Sequence, residues 1–242
     1  MFAYFDVIRS LLNEAETRNA VAMDNAAERI AASLQQGGLL HTFGTGHGHI
    51  LAEEIFYRAG GLVTVNAILD PGLMLHLSAI NSTQLERLSG YAELVLLRYI
   101  VNKGDVMIIS SNSGLNSVPI EMALAAQKHG VTVIALTSLT HSKSQDSRHP
   151  SGKRLFEIAD LVLDNCGQIG DAAVDVEGLP GKMGATSTVI GAALLHSLVI
   201  AVAQKMIERG AVPPVTMSAN VREGDKYNTD LYRPYLTKIR HL

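Results

Sequence analysis

Short apolar runs that do not alternate with polar residues, each separated from the next by a helix-like stretch, leave this chain few ways to fold. The runs are Leu39–Phe43, Leu62–Val65, Val106–Ser110, Val131–Leu136 and Leu161–Leu163. The intervals carry helical spacing over Ile50–Ala59, Gln84–Ile100, Val118–His129 and Ser151–Ala159. A strand that is apolar at every position is covered on both faces, and a helical crossover between strands makes its neighbours parallel. The pattern predicts a doubly wound, three-layer α/β/α fold around a five-stranded parallel sheet. Residues 4–36 have helical spacing and close at Gly37-Gly38, a helix stop. A long helix is predicted over Ser187–Arg209, followed by a tail containing Pro213-Pro214. Without repeats or a linker-like stretch, residues 1–242 are expected to form one domain: a helical extension (1–36), an α/β core (37–209) and an irregular tail (210–242).

Composition narrows the partners. The chain is 47% hydrophobic and 18% charged with a formal net charge of −3, a balance that draws in neither nucleic acid nor an anionic membrane. Cys166 is the only cysteine, which rules out an intramolecular disulfide and a cysteine zinc site and points to the cytoplasm. Asp6 and Arg9 interrupt any signal-like start. Val189–Ala203 is apolar but broken by His196 and Ser197, and is shorter than the ~20 residues of a membrane-spanning helix, so a buried or interface helix is expected. No Walker sequence is present, so ATP chemistry is not expected.

In doubly wound sheets, ligands bind beyond the carboxyl ends of the strands, so the loops that follow strands carry the functional prediction. After the first strand comes Gly44-Thr45-Gly46-His47-Gly48-His49, leading into a helix. Its glycines let the backbone approach a ligand, although the spacing does not fit the dinucleotide fingerprint. After Val106–Ile109 comes Ser110-Ser111-Asn112-Ser113-Gly114-Leu115-Asn116-Ser117. Short hydroxyl and amide donors just before a helix start suit phosphate oxygens without any lysine.

The pair Gly44-Thr45-Gly46 and Ser111-Asn112-Ser113-Gly114 resembles the SIS (sugar isomerase) superfamily, which includes the phosphoheptose isomerases. The resemblance runs from Gly37 to Arg209 and is strongest over Asp105–Ser138. It implies a phosphorylated sugar gripped by the serine loop, with Ser111 and Ser113 matching the family's two serines. Asn116 stands where the family often has Thr or Ser. Thr186-Ser187-Thr188 resembles a further polar cluster of the family, and a helix cap explains it equally well. The stretch GTGHGHILAEEIFYRAGG, with SRHPSGKRL, resembles a bacterial branch of SIS proteins described as phosphosugar isomerases. The resemblance also implies a homodimer, to which the apolar terminal helix adds weight.

An aldose–ketose isomerase needs a base for the C1/C2 proton and an acid for ring opening. Glu53 and Glu54 follow the glycine loop, and the resemblance places a catalytic glutamate on this helix, about one turn further along. Glu54 is preferred, although it also stands i,i+4 from Arg58 as an ordinary ion-pair partner. His47 is expected to touch the ligand. His47 and His49 lack a third ligand nearby, so no metal is expected, and no other cofactor is implied. His196 is either a hydrogen-bonded core residue or, by the resemblance, part of the site. His76 and the 171–182 loop are further candidates, whereas Arg148, His149, Lys153 and Arg154 are expected to form a solvated basic surface. A phosphosugar sensor without catalysis, or a lyase or etherase on an amino-sugar phosphate, would use the same grip.

Overall fold

In the computed structural model, which describes residues 2–242, four of the five runs and a strand that begins at the last residue of the remaining one, Val65, form one parallel sheet. Its strands are β1 (Leu40–Gly44), β2 (Val65–Ile68), β3 (Val106–Ser110), β4 (Thr132–Thr137) and β5 (Leu161–Asp164), in the order β2-β1-β3-β4-β5. Alternate residues of each central strand feed two separate cores. Val106 and Ile108 of β3 join Ile134 and Leu136 of β4 on one face, while Met107 and Ile109 join Val133 and Ala135 on the other. Helix α1 (Ala3–Gln35) and the helix after β1, α2 (Gly48–Glu54), cover the first face. The second is covered by α4 (Tyr91–Leu96) and α5 (Ser117–Lys128), with α3 (Ala79–Glu86) beside α5. The chain continues through α6 (Leu139–Lys143), a hairpin of β6 (Ala172–Val174) and β7 (Met183–Ala185), α7 (Ser187–Glu208) and α8 (Gly224–Tyr232).

Helix α1 lies in the same layer as α7 rather than extending from the core. Asn19, buried on α1, ties it to β5: its Nδ2 donates to the Asp164 carbonyl at 2.8 Å and its Oδ1 accepts the Asp164 N–H at 2.8 Å. Helix α7 is long and apolar enough to cross a membrane by length and composition, but Ile190, Leu194, Leu195, Leu198 and Val202 pack into the core.

Several boundaries differ from expectation, each for a local reason. Helix α2 stops at Glu54 instead of Ala59, shortly before Tyr57, whose φ of 51° is left-handed. Gly90 (φ 84°) splits the expected Gln84–Ile100 helix into α3 and α4. Ser151–Ala159 holds only one 3₁₀ turn, Leu155–Glu157, where Arg154 and Glu157 close on each other. Strand β2 starts at Val65 because Leu62 and Val63 pair with the C-terminal segment instead. Leu62 bridges Val215, and the Val63 N–H donates to the Pro214 carbonyl at 3.0 Å. The tail is therefore anchored, and it contains α8 rather than being irregular throughout.

At the amino end of the sheet, His41, Asn66 and Asp105 form a fully buried polar network. Asn66 Nδ2 donates to His41 Nδ1 (3.1 Å), which leaves the proton on Nε2 to donate to Asp105 Oδ2 at 3.0 Å. Burial alone would raise the Asp105 pKa, but hydrogen bonds from His41 and from the Asn102 and Leu39 N–H groups outweigh it and hold the carboxyl below its ordinary 3.8. A depressed carboxyl stabilises the fold above its unfolded pKa and loses that contribution as pH falls through the folded value. Asp105→Asn should lower unfolding free energy by about 1.5–3 kcal/mol at pH 7, the worth of a hydrogen bond to a charged group. It should also lose less than the wild type on acidification below 3.8. Equal acid slopes for the two proteins in denaturant titrations would refute this reading.

Candidate functional site

Because the strand order reverses between β2-β1 and β3-β4-β5, the sheet's switch point lies between β1 and β3. There Gly44 and Ser110 are paired in register at the strand ends, and the loops that follow them enclose a cavity of about 350 Å³.

The serine loop forms one wall. The Gly114 N–H donates to Ser111 Oγ at 3.1 Å, which leaves the Ser111 hydroxyl proton to donate elsewhere. The loop is held from behind: the Asn112 carbonyl accepts from the Ser138 N–H (3.0 Å) and the Thr137 hydroxyl (3.1 Å), and Asn112 Oδ1 accepts from Asn165 Nδ2 (2.9 Å). Gly114 turns the chain at a φ of 61°, where a Cβ would stand 3.1 Å from that of Leu155. The loop ends at the first turn of α5, whose leading N–H groups have no partner within the helix.

The glycine loop forms the opposite wall, with Thr45, Gly46, His47 and Gly48 lining it. A Cβ on Gly48 would lie 2.3 Å from the Ser110 carbonyl oxygen, so the two loops meet backbone to backbone.

A third wall is the start of α7. The Asp171 carboxylate accepts the N–H groups of Thr186 (3.0 Å) and Ser187 (2.8 Å) and the Ser187 hydroxyl (2.6 Å). Ser187 lines the cavity with both of its donors already engaged by this carboxylate.

The last wall carries a second carboxylate. Glu86, at the end of α3, accepts a hydrogen bond from Asn116 Nδ2 at 2.7 Å, and Asn116 Oδ1 in turn accepts from Arg148 Nη1 at 2.8 Å. His141 also lines the cavity; its Nδ1 accepts the Gly170 N–H at 2.9 Å, so the neutral ring carries its proton on Nε2. Lysine and arginine are not among the lining residues.

Glu53, Glu54 and His196 are not cavity-lining residues. Glu54 pairs with His196 Nε2 at 3.0 Å and with Arg58 at 3.3 Å. His196 follows the lining residue Thr188 by two turns of α7, about 12 Å at 1.5 Å per residue. Glu53 is exposed and stands 3.6 Å from the buried His49, whose pKa burial lowers and Glu53 partly restores. Burial, reinforced by Asp164, pushes the Cys166 thiol up to about 12, so it is no nucleophile. Among the described residues no group of three or more His, Cys, Asp or Glu side chains could hold a metal ion.

Sequence reasoning missed Glu86, His141 and Asn165; Arg148, expected on a solvated surface, is exposed and also hydrogen-bonds Asn116. The missed residues come from separate connections, Glu86 between β2 and β3, His141 between β4 and β5, and Asn165 after β5, and no local sequence signal joins them.

Residues 3–138 match the family model described as the SIS domain. A UPF0309 protein of Shouchella clausii is 43% identical over 240 residues, covering 99% of this chain and 98% of that protein. One from Oceanobacillus iheyensis is 40% identical over 243 residues, with coverage of 100% and 99%. A phosphoheptose isomerase from Francisella tularensis shares the fold with a TM-score of 0.55 at 18% identity, covering 84% of this chain and 95% of that one.

The contact at Gly48 gives a direct test of the cavity. Gly48→Ala should cost about 1–3 kcal/mol by overpacking and separate the two loops. Its effect should appear in thermal unfolding and as weakened phosphate binding by ³¹P NMR. Unchanged stability together with unchanged binding would show that the loops do not depend on this contact.

Proposed function

The chain belongs to the SIS domain family, and with it to the UPF0309 proteins; from that premise we propose that it binds a phosphorylated sugar in this cavity and isomerises it between aldose and ketose. The observation that carries the reading is the serine loop: hydroxyl and backbone donors at the open start of α5 face a cavity that also holds a carboxylate, Glu86. Its ~350 Å³ lies at the small end of the range for ligand sites, which suits a single sugar phosphate. The phosphate goes to the start of α5, since Asp171 already occupies the start of α7. The open-chain sugar then runs toward Glu86, which takes the C2 proton of the aldose and returns it to C1. His141, with its Nε2 proton, or His47 serves ring opening and the proton shift between O1 and O2.

This reading moves the base from Glu54 to Glu86. Glu54 and His196 instead clamp α2 to α7, beside an exposed apolar stripe on α7 formed by Val189, Ile200 and Ile207. A homodimer through this stripe is part of the proposal; light scattering should give twice the chain mass, and Ile200→Glu should return it to the monomer.

Proton NMR in D₂O with a panel of sugar phosphates tests the chemistry. Loss of one sugar's C2 proton signal, with the matching ketose appearing, is the expected outcome. Glu86→Gln should slow the exchange about 10²–10⁴-fold, the usual worth of a general base, with binding kept. Glu54→Gln should stay within about tenfold, below that range. Binding without exchange would make the protein a sensor, and elimination products would make it a lyase. Exchange lost in Glu54→Gln but kept in Glu86→Gln would overturn the assignment of the base.

A further inference from the structure

The connection from α6 to β5 brings one exposed cation, Arg148, to the edge of the cavity, where it also hydrogen-bonds the lining residue Asn116. The Arg148 N–H donates to the Leu115 carbonyl at 2.9 Å, which fixes its backbone beside the start of α5. The loop around it is built rather than loose. Ser147 Oγ donates to the Lys153 carbonyl (2.7 Å) and accepts the His149 N–H (3.1 Å), and His149 stands 3.6 Å from Glu121 of α5. From this frame the Arg148 guanidinium reaches only one end of the Asn116 side chain, its Oδ1.

That end matters because an amide has a donor face and an acceptor face, whereas a guanidinium only donates. With Arg148 on Oδ1, the Asn116 amide group must present its NH₂ to Glu86, and that bond is the 2.7 Å contact observed. Without Arg148 the amide loses the bond that anchors its oxygen, and its NH₂ is free to swing off the carboxylate. Asn116 is buried and sits at the N-cap of α5, yet its side chain makes no capping bond to the helix. Asn is favoured at such positions for that bond, so its side chain here is diverted to another use.

We infer that Arg148 is a positioning residue: acting through the Asn116 amide, it holds the Glu86 carboxylate aimed into the cavity. This rests on the reading of Glu86 as the base. A structural alternative would have Arg148 only pinning its loop to α5; loss of Arg148 would then alter stability, binding and turnover together.

The test combines Arg148→Ala, Arg148→Lys and Asn116→Asp with two readouts. The first is the side-chain amide signal of Asn116 in ¹⁵N–¹H spectra, assigned by its absence in Asn116→Asp. In the wild type it should exchange slowly with solvent, and in Arg148→Ala at least about tenfold faster, as a freed amide would. The second is the C2-proton exchange reaction. Arg148→Ala should lower kcat about 10- to 100-fold, the scale of a small misplacement at the reacting centre, with KM and melting temperature nearly unchanged. Arg148→Lys, which can still donate to Oδ1, should recover part of kcat. An unchanged Asn116 signal in Arg148→Ala overturns the inference, and so does a kcat loss matched by equal losses in binding and stability. If the wild-type protein exchanges no sugar proton, the functional reading fails by itself. The amide signal then decides alone whether Arg148 orients Asn116 toward Glu86.

Discussion

Everything at the carboxyl end of the sheet depends on how closely two backbones approach each other. Gly48 sits where any side chain would run into the Ser110 carbonyl, and Gly44 sits where one would strike the Gly48 carbonyl at 2.2 Å. These two glycines draw the first turn of α2 against the end of β3, at the point where the strand order reverses. The register of Gly44 with Ser110 then sets the two loops face to face. A side chain at either glycine would wedge the walls apart, so the cavity is a consequence of two missing Cβ atoms as much as of the polar groups around it.

Two helix starts converge on that cavity, and the chain treats them differently. The start of α7 is filled by Asp171, whose carboxylate accepts two N–H groups and a hydroxyl. The start of α5 receives no side-chain cap from Asn116. Both ends carry the partial positive charge of aligned peptide dipoles, and a carboxylate or phosphate at either would be favourable. With one already neutralised, a single anionic group has a single place to go. Since the lining residues supply no lysine or arginine, its charge is met by dipoles and hydroxyls. Such a grip is directional, and under the proposed function it would orient a bound sugar.

How far the site could be read in advance follows from how local each signal is. The sheet was legible because a strand buried on both faces is apolar at every position, and each central run was placed within a residue or two. The serine and glycine loops were legible for a related reason: each is a contiguous stretch whose composition departs from ordinary turns. The carboxylates were not. Glu54 drew notice by standing near the glycine loop in sequence, yet α2 carries it past the cavity to His196. Glu86 lines the cavity from the last residue of α3, four residues before the left-handed Gly90 that starts α4, where the spacing suggested one helix from Gln84 to Ile100. A break set by one left-handed glycine is invisible to helical periodicity, and so is any residue whose place depends on it. The β6–β7 hairpin, with strands of three residues, was too short to register as a pattern, although it leads from Asp171 to the start of α7.

The two ends of the sheet also differ in how their polar groups are satisfied, and the difference separates stability from chemistry. At the amino end, Asp105 accepts bonds from His41 and from two backbone N–H groups, and the remaining imidazole nitrogen is met by Asn66. Nothing there faces solvent, and although the Asn66 Oδ1 is left without a partner, a buried network of this kind favours one arrangement of β1, β2 and β3. At the carboxyl end the polar groups are satisfied only in part: the Ser111 hydroxyl accepts but keeps a proton to give, and among the described residues only one oxygen of Glu86 is bonded. Groups left half-satisfied at an open cavity interact with whatever enters it. The same sheet thus ties its strands together with polar groups that are sealed from solvent at one end and lines a cavity with polar groups at the other.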